Sequence, residues 1–201
     1  MADGVNETTT KSDAIIEAAD RLFKRFGYRR TSMDDIAREA GVAKGTLYLY
    51  FTSKEALFRA LLARNVVLAE RLCDAAQARG GDLAAQIFGQ LDAWFGMMLD
   101  RYGASDHLSE LSAARISVGR EIVEAADRAY EAKLVHLIET AQAEGKANLV
   151  STGLGAHQVV SALLNAARGA KHSRGAPVAP DTFRINLQCI AHVFAAAIRA
   201  S

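Results

Sequence analysis

Apolar residues recur at helical spacing along nearly the whole of this 201-residue chain. Ile15, Ala19, Leu22, Phe23 and Phe26 share one stripe and predict a first helix over about 12–26, closed by Gly27. Thr31 and Asp34 have capping-box spacing and open a second helix, whose Ile36, Ala37 and Ala40 fall on one face. Gly41 stands where that helix must end in a left-handed conformation, and Val42 gives the turn an apolar anchor. A short third helix follows over 43–50. The small Ala37 permits close approach and Leu47 fills the space between the two crossed helices, which together read as a helix-turn-helix. Such a unit presents the outer face of its second helix to a DNA major groove.

The remaining pattern stays helical, and no segment alternates convincingly like a strand. Thr52 and Glu55 repeat the capping-box spacing and start a fourth helix that runs to about residue 78, before Gly80 and Gly81. Further helices are predicted over about 82–101, 106–118, 120–143, 155–170 and 181–200, with Gly119 among the breakers. Pro177 and Pro180 are the two prolines, and both fall in the last linker. The expected class is all-α with about nine helices: a three-helix DNA-binding domain with a helix-turn-helix, and a helical ligand-binding and dimerisation domain. The expected division is a flexible arm over 1–10, the DNA-binding domain over 11–51 and the helical body over 52–201. The last two helices carry wide apolar faces that one chain is not expected to bury alone. Val159, Ala162, Leu163, Ala166, Phe183, Leu187, Ile190 and Phe194 are therefore predicted to meet a symmetry mate.

Composition alters this picture in two ways. The formal net charge of +1 hides a segregation: residues 11–59 hold ten basic and seven acidic side chains, residues 82–144 five and eleven. Basic charge at one end, with Lys24, Arg25, Arg29 and Arg30 close together, suits phosphate attraction. No apolar run reaches the roughly 18–20 residues that span a bilayer, and the polar start lacks the layout of a signal peptide. Two cysteines without a framework point to a reducing, cytoplasmic setting.

The string GVAKGTLYLYFTSKEAL over 41–57, with Phe26-Gly27-Tyr28, Thr31 and Ile36-Ala37 before it, resembles the amino-terminal domain of the tetracycline-repressor (TetR) family of bacterial transcriptional regulators. The resemblance covers about 11–62. It departs from the commoner pattern at Ala43, where a Ser or Thr often caps the recognition helix; the missing cap costs about 1 kcal/mol locally. The resemblance implies a homodimer that binds a palindromic operator in double-stranded DNA and answers to a small-molecule effector. It places Lys44, Gly45, Thr46 and Tyr48 at or near the groove, and Thr31, Ser32, Tyr50 and Lys54 near phosphates. Tyr50 fits the core equally well.

Candidate chemistry is sparse elsewhere. There is no GxSxG, no GxxxxGK and no HExxH. His107 with Glu110 and His136 with Glu139 each share a helix face, and both read as surface pairs rather than metal ligands. No cofactor, no metal and no catalytic residue is predicted. Phe88, Leu91, Trp94, Phe95 and Met98, with Tyr130, form an aromatic and methionine group suited to an apolar effector pocket. The other functional class left open is a helical enzyme or metal-binding bundle with a vestigial helix-turn-helix.

Overall fold

Where the apolar repeat is unbroken, the backbone is helical. The computed structural model describes residues 3–103, 105–173 and 176–200. Its helices are α1 (Asp3–Phe26), α2 (Met33–Glu39), α3 (Lys44–Tyr50), α4 (Lys54–Arg79), α5 (Leu83–Leu91), α6 (Met97–Tyr102), α7 (Leu108–Ala143), α8 (Ala156–Gly169) and α9 (Pro180–Ala197). A π-helical turn, Asp92–Gly96, joins α5 to α6, and a short 3₁₀ turn, Val150–Thr152, precedes α8. The fold is all-α. A two-residue antiparallel ladder, β1 (His172–Ser173) with β2 (Ala176–Pro177), lies between α8 and α9; strands this short leave no alternation to find in sequence.

Residues 3–10 continue α1, where a flexible arm was expected over 1–10; residues 1 and 2 lie outside the described residues. The physical reason is propagation: no proline and no glycine after Gly4 interrupts the segment, and a helix nucleated on a packed stripe extends one bond at a time.

Two compact units divide the described chain, residues 3–66 with 105–125 and residues 67–103 with 126–200, and both α4 and α7 contribute to each. The first is centred on Phe23, Tyr28 and Phe58, whose rings lie 4.9–5.5 Å apart in tilted and edge-on contacts. Gly119 interrupts α7 as expected (φ −119°, ψ 19°), and a Cβ there would collide with the tip of Leu62.

In the second unit, Ile87, Leu91, Leu134, Ile138, Leu163, Phe183 and Leu187 are buried in one core, with α9 packed on α5 and α8. This corrects part of the expected dimer face. Val159, Leu163, Phe183 and Leu187 are buried within a single chain, so they do not reach a symmetry mate. The apolar stripe of α9 is covered by α5 and α8, a cover that periodicity alone does not reveal. Ile190, Phe194 and Ala166 are half-buried and Ala162 is exposed. The outward side of α9 instead carries Ile185 (59 % exposed), Cys189 and Val193 (66 %). Arg184 of α9 donates from Nε to Asp92 (3.0 Å) and from Nη2 to Asp100 (2.6 Å), tying α9 to the start of the π turn and to α6.

The two thiols should differ in reactivity. Burial pushes the Cys73 thiol up to about 11, whereas Cys189 is exposed. Because the thiolate is the nucleophile, iodoacetamide at pH 8 should alkylate Cys73 at least tenfold more slowly in the folded protein than after denaturation. Equal Cys73 rates in the folded and denatured protein, read by peptide mass, would contradict this core.

Candidate nucleic-acid interface

The start of α2 is capped one residue later than its spacing suggests. Ser32, not Thr31, is the N-cap: its Oγ accepts from the Asp35 N–H at 3.1 Å, and the Asp35 carboxylate accepts from the Ser32 N–H at 3.2 Å. These Ser32 bonds hold the Asp35 carboxyl below its ordinary range. Thr31 is 3 % exposed and donates its hydroxyl to the Gly27 carbonyl at 2.7 Å. Its expected place near phosphate is therefore corrected: β-branched and buried, it closes the loop between α1 and α2. Capping-box spacing cannot choose between adjacent hydroxyls when both are followed at three residues by Asp.

Lys54 is corrected on the same grounds. Its ammonium donates to the carbonyls of Tyr28 (2.8 Å), Thr31 (3.0 Å) and Arg29 (3.3 Å), and lies 4.6 Å from the Tyr28 ring centre. Three donors meet three acceptors, so the charge is committed to the loop after α1 rather than displayed to solvent. Burial, and then Glu55, raise the Tyr28 phenol to about 12. Glu110 completes the loop by accepting from the Arg29 N–H at 2.5 Å. Its other oxygen lies 3.8 Å from His107 Nδ1, so the expected pair with His107 is present beside the backbone bond.

With that loop fixed, α2 and α3 meet through a turn at Gly41, whose φ of +68° disfavours any other residue. Leu47 is buried beneath α3, and no side chain caps the helix at Ala43. The opposite side of α3 is open. Lys44 and Gly45 are exposed, Tyr48 is 42 % exposed, and Thr46 and Tyr50 are half-buried. A Cβ on Gly45 would meet nothing within 4 Å, so nothing inside the chain demands glycine there. Sequence reasoning missed Leu49, which is 86 % exposed. The signal was present: Leu49 is two residues from the buried Leu47, hence on the other side of a helix.

Several basic groups near this face are internally compensated: Arg21 by Glu39, Lys24 by Asp20, Arg38 by Asp35 and Lys44 by Asp34. Apart from Lys24–Asp20, whose carboxylate is buried, these pairs are exposed, hence weak and readily exchanged for another anion. Among the described residues, Arg29 and Arg30 are exposed and make no ion pair.

Of the six expected effector-pocket residues, Trp94 and Tyr130 line a cleft of about 220 Å³ with Glu70, Cys73, Asp74, Ala129 and Lys133. The two rings stack at 4.3 Å and 4°, and the Tyr130 hydroxyl donates to the Gln90 carbonyl at 2.9 Å. Leu91 and Phe95 belong to the buried core of the same unit, and Phe88 and Met98 are half-buried. Lys133 pairs with Asp74 at the cleft. Among the described residues, no three His, Cys, Asp or Glu side chains converge as a metal site would require, and no helix is long and apolar enough to cross a membrane.

Removing the Lys54 ammonium should loosen this domain. Lys54→Ala leaves three carbonyls without their charged donor, and a loss of about 1–3 kcal/mol is expected in chemical denaturation. An unchanged denaturation midpoint would mean that the clamp contributes nothing to the loop.

Residues 15–61 match the family model for bacterial regulatory proteins of the tetR family. The uncharacterised HTH-type transcriptional regulator YuxN of Bacillus subtilis is 48 % identical over 52 residues, 26 % of this chain and 18 % of YuxN. The HTH-type transcriptional repressor ComR of Escherichia coli is 44 % identical over 54 residues, 27 % of this chain and 26 % of ComR. Each match thus spans about a quarter or less of the relative's length. Over nearly full length, the fold is that of a TetR-family transcriptional regulator from Agrobacterium tumefaciens, with a TM-score of 0.68, 22 % identity, and 96 % of this chain and 99 % of that one covered. Residues 15–61 are thus similar to the amino-terminal domain of tetR-family bacterial regulatory proteins, and the chain shares its fold with a regulator of that family.

Proposed function

We propose that this chain is a homodimeric, ligand-responsive transcriptional regulator, acting as a repressor on a palindromic operator. The observation that carries the reading is the outer side of α3, where Lys44, an unobstructed Gly45, Thr46 and Tyr48 stand together on a helix whose inner side is pinned by Leu47. Gly45 admits the close approach of a sugar–phosphate backbone or base edge, Thr46 offers a methyl and a hydroxyl, and Lys44 exchanges Asp34 for phosphate. Ser32 adds an exposed backbone position at the head of α2, and Arg29 and Arg30 supply uncompensated charge. On this reading residues 11–51 bind DNA and residues 52–201 bind the effector and the second copy. The resemblance to ComR supports repression.

Two copies present two recognition helices, which must be about 34–36 Å apart to enter successive major grooves. An effector that favours another spacing weakens DNA binding, and DNA weakens effector binding by the same factor. The Trp94–Tyr130 cleft supports the effector part of the reading, since a stacked aromatic wall offers an organic ligand a large apolar contact. The outward side of α9, with Ile185, Cys189 and Val193, together with the exposed Ala162 of α8, supports a dimer seam built from residues that the single chain leaves uncovered.

Two outcomes follow. Fluorescence anisotropy with duplex DNA should show affinity falling steeply with salt, with a log–log slope near −0.9 for each phosphate neutralised; a flat dependence would refute DNA binding by this face. Val193→Arg, at a position 66 % exposed in the single chain, should convert the dimer to monomer at micromolar concentration in sedimentation, because it sets an unpaired charge in the seam. A dimer that survives this change uses another surface.

A further inference from the structure

Gly45 and Leu49 are one turn apart on α3, and their relation is unusual. The turn at Gly45 is bare, with 4 Å of open space where a side chain would begin. Helical side chains lean toward the N-terminus, so the Leu49 side chain extends over the turn that Gly45 leaves empty. At 86 % exposure it is the most exposed large hydrophobic side chain among the described residues. A lone exposed leucine on an ordinary surface carries no message. Here its neighbours Lys44, Thr46 and Tyr48 all bear hydrogen-bonding groups, while Leu49 bears none. It can bond neither to phosphate nor to a polar base edge. In a major groove the apolar feature that distinguishes one base pair from another is the C5-methyl group of thymine.

We propose that Leu49 is a specificity-determining residue that reads a thymine in each half-site by packing on its C5-methyl group. This rests on the reading of α3 as the DNA-facing helix. Gly45 makes the contact possible, because a Cβ one turn earlier would stand between the helix and the groove floor and hold Leu49 away from the base. Thr46, three residues before Leu49 on the same side, brings a second methyl beside it, so the strip meets one short apolar step in an otherwise polar groove.

The test uses duplexes enriched by the wild-type chain from a randomised pool. Each thymine of the enriched sequence is replaced singly by deoxyuridine, which pairs identically and lacks only the methyl group. At one thymine per half-site, the replacement should weaken wild-type binding about fourfold, the effect of withdrawing one buried methyl. Leu49→Ala should bind the thymine and deoxyuridine duplexes equally. Since Leu49 contributes nothing to the core, this variant should keep the wild-type melting temperature. Leu49→Gln, carried through the same selection, should cease to enrich that thymine. The proposal is overturned if wild type tolerates deoxyuridine everywhere, or if the penalty persists undiminished in Leu49→Ala; in either case sequence-selective binding by α3 still stands. A pool that yields no enriched sequence and no bound duplex overturns the DNA-facing reading itself, and the proposal with it.

Discussion

The ammonium of Lys54 is shared among the carbonyls of Tyr28, Arg29 and Thr31 and rests against the Tyr28 ring, and the placement of α3 depends on that clamp. The loop after α1 makes no regular secondary structure, so its backbone acceptors need donors from elsewhere. Lys54 supplies them from the first turn of α4, Thr31 closes on Gly27, and Glu110 takes the Arg29 N–H. Tyr28 is thereby held in the ring cluster with Phe23 and Phe58 that joins α1 to α4. Between these fixed points the chain has room for α2, the Gly41 turn and α3, and Leu47 seats α3 from below. The outer side of α3 can be almost free of internal contacts because the inner side and both flanks are so fully committed.

Much of this was legible in the sequence because it rests on local rules. The helix stripes, the Gly41 turn, the break at Gly119 and the uncapped Ala43 follow from spacing and from the conformational limits of single residues. What was misread depended on contacts between distant segments. Thr31 and Lys54 carry the residue types of phosphate contacts, but only the folded loop shows that a hydroxyl and an ammonium are consumed by carbonyls. Glu110 looked like a surface carboxylate because its backbone partner lies 81 residues away.

The same limit governs the second unit. The stripes of α8 and α9 are apolar enough to suggest an intersubunit seam, and Val159, Leu163, Phe183 and Leu187 are instead the monomer's own core. Periodicity shows that a side is buried, not by what. The second side of α9 was harder to notice because Ile185, Cys189 and Val193 are interspersed with Gln188 and His192, which weaken the stripe. Trp94 falls within the π turn, a departure from α-helical register that no spacing rule foretells and that often marks functional positions.

That α3, the helix proposed to face DNA, is positioned by Lys54, rather than assisted by it at the phosphates, is tested most directly by the salt dependence of duplex binding in Lys54→Met. A positioning role predicts weaker binding with a log–log salt slope equal to that of the wild type, because no phosphate contact has been removed. A slope shallower by about 0.9 in the variant, at undiminished thermal stability, would make Lys54 a phosphate ligand and contradict the clamp.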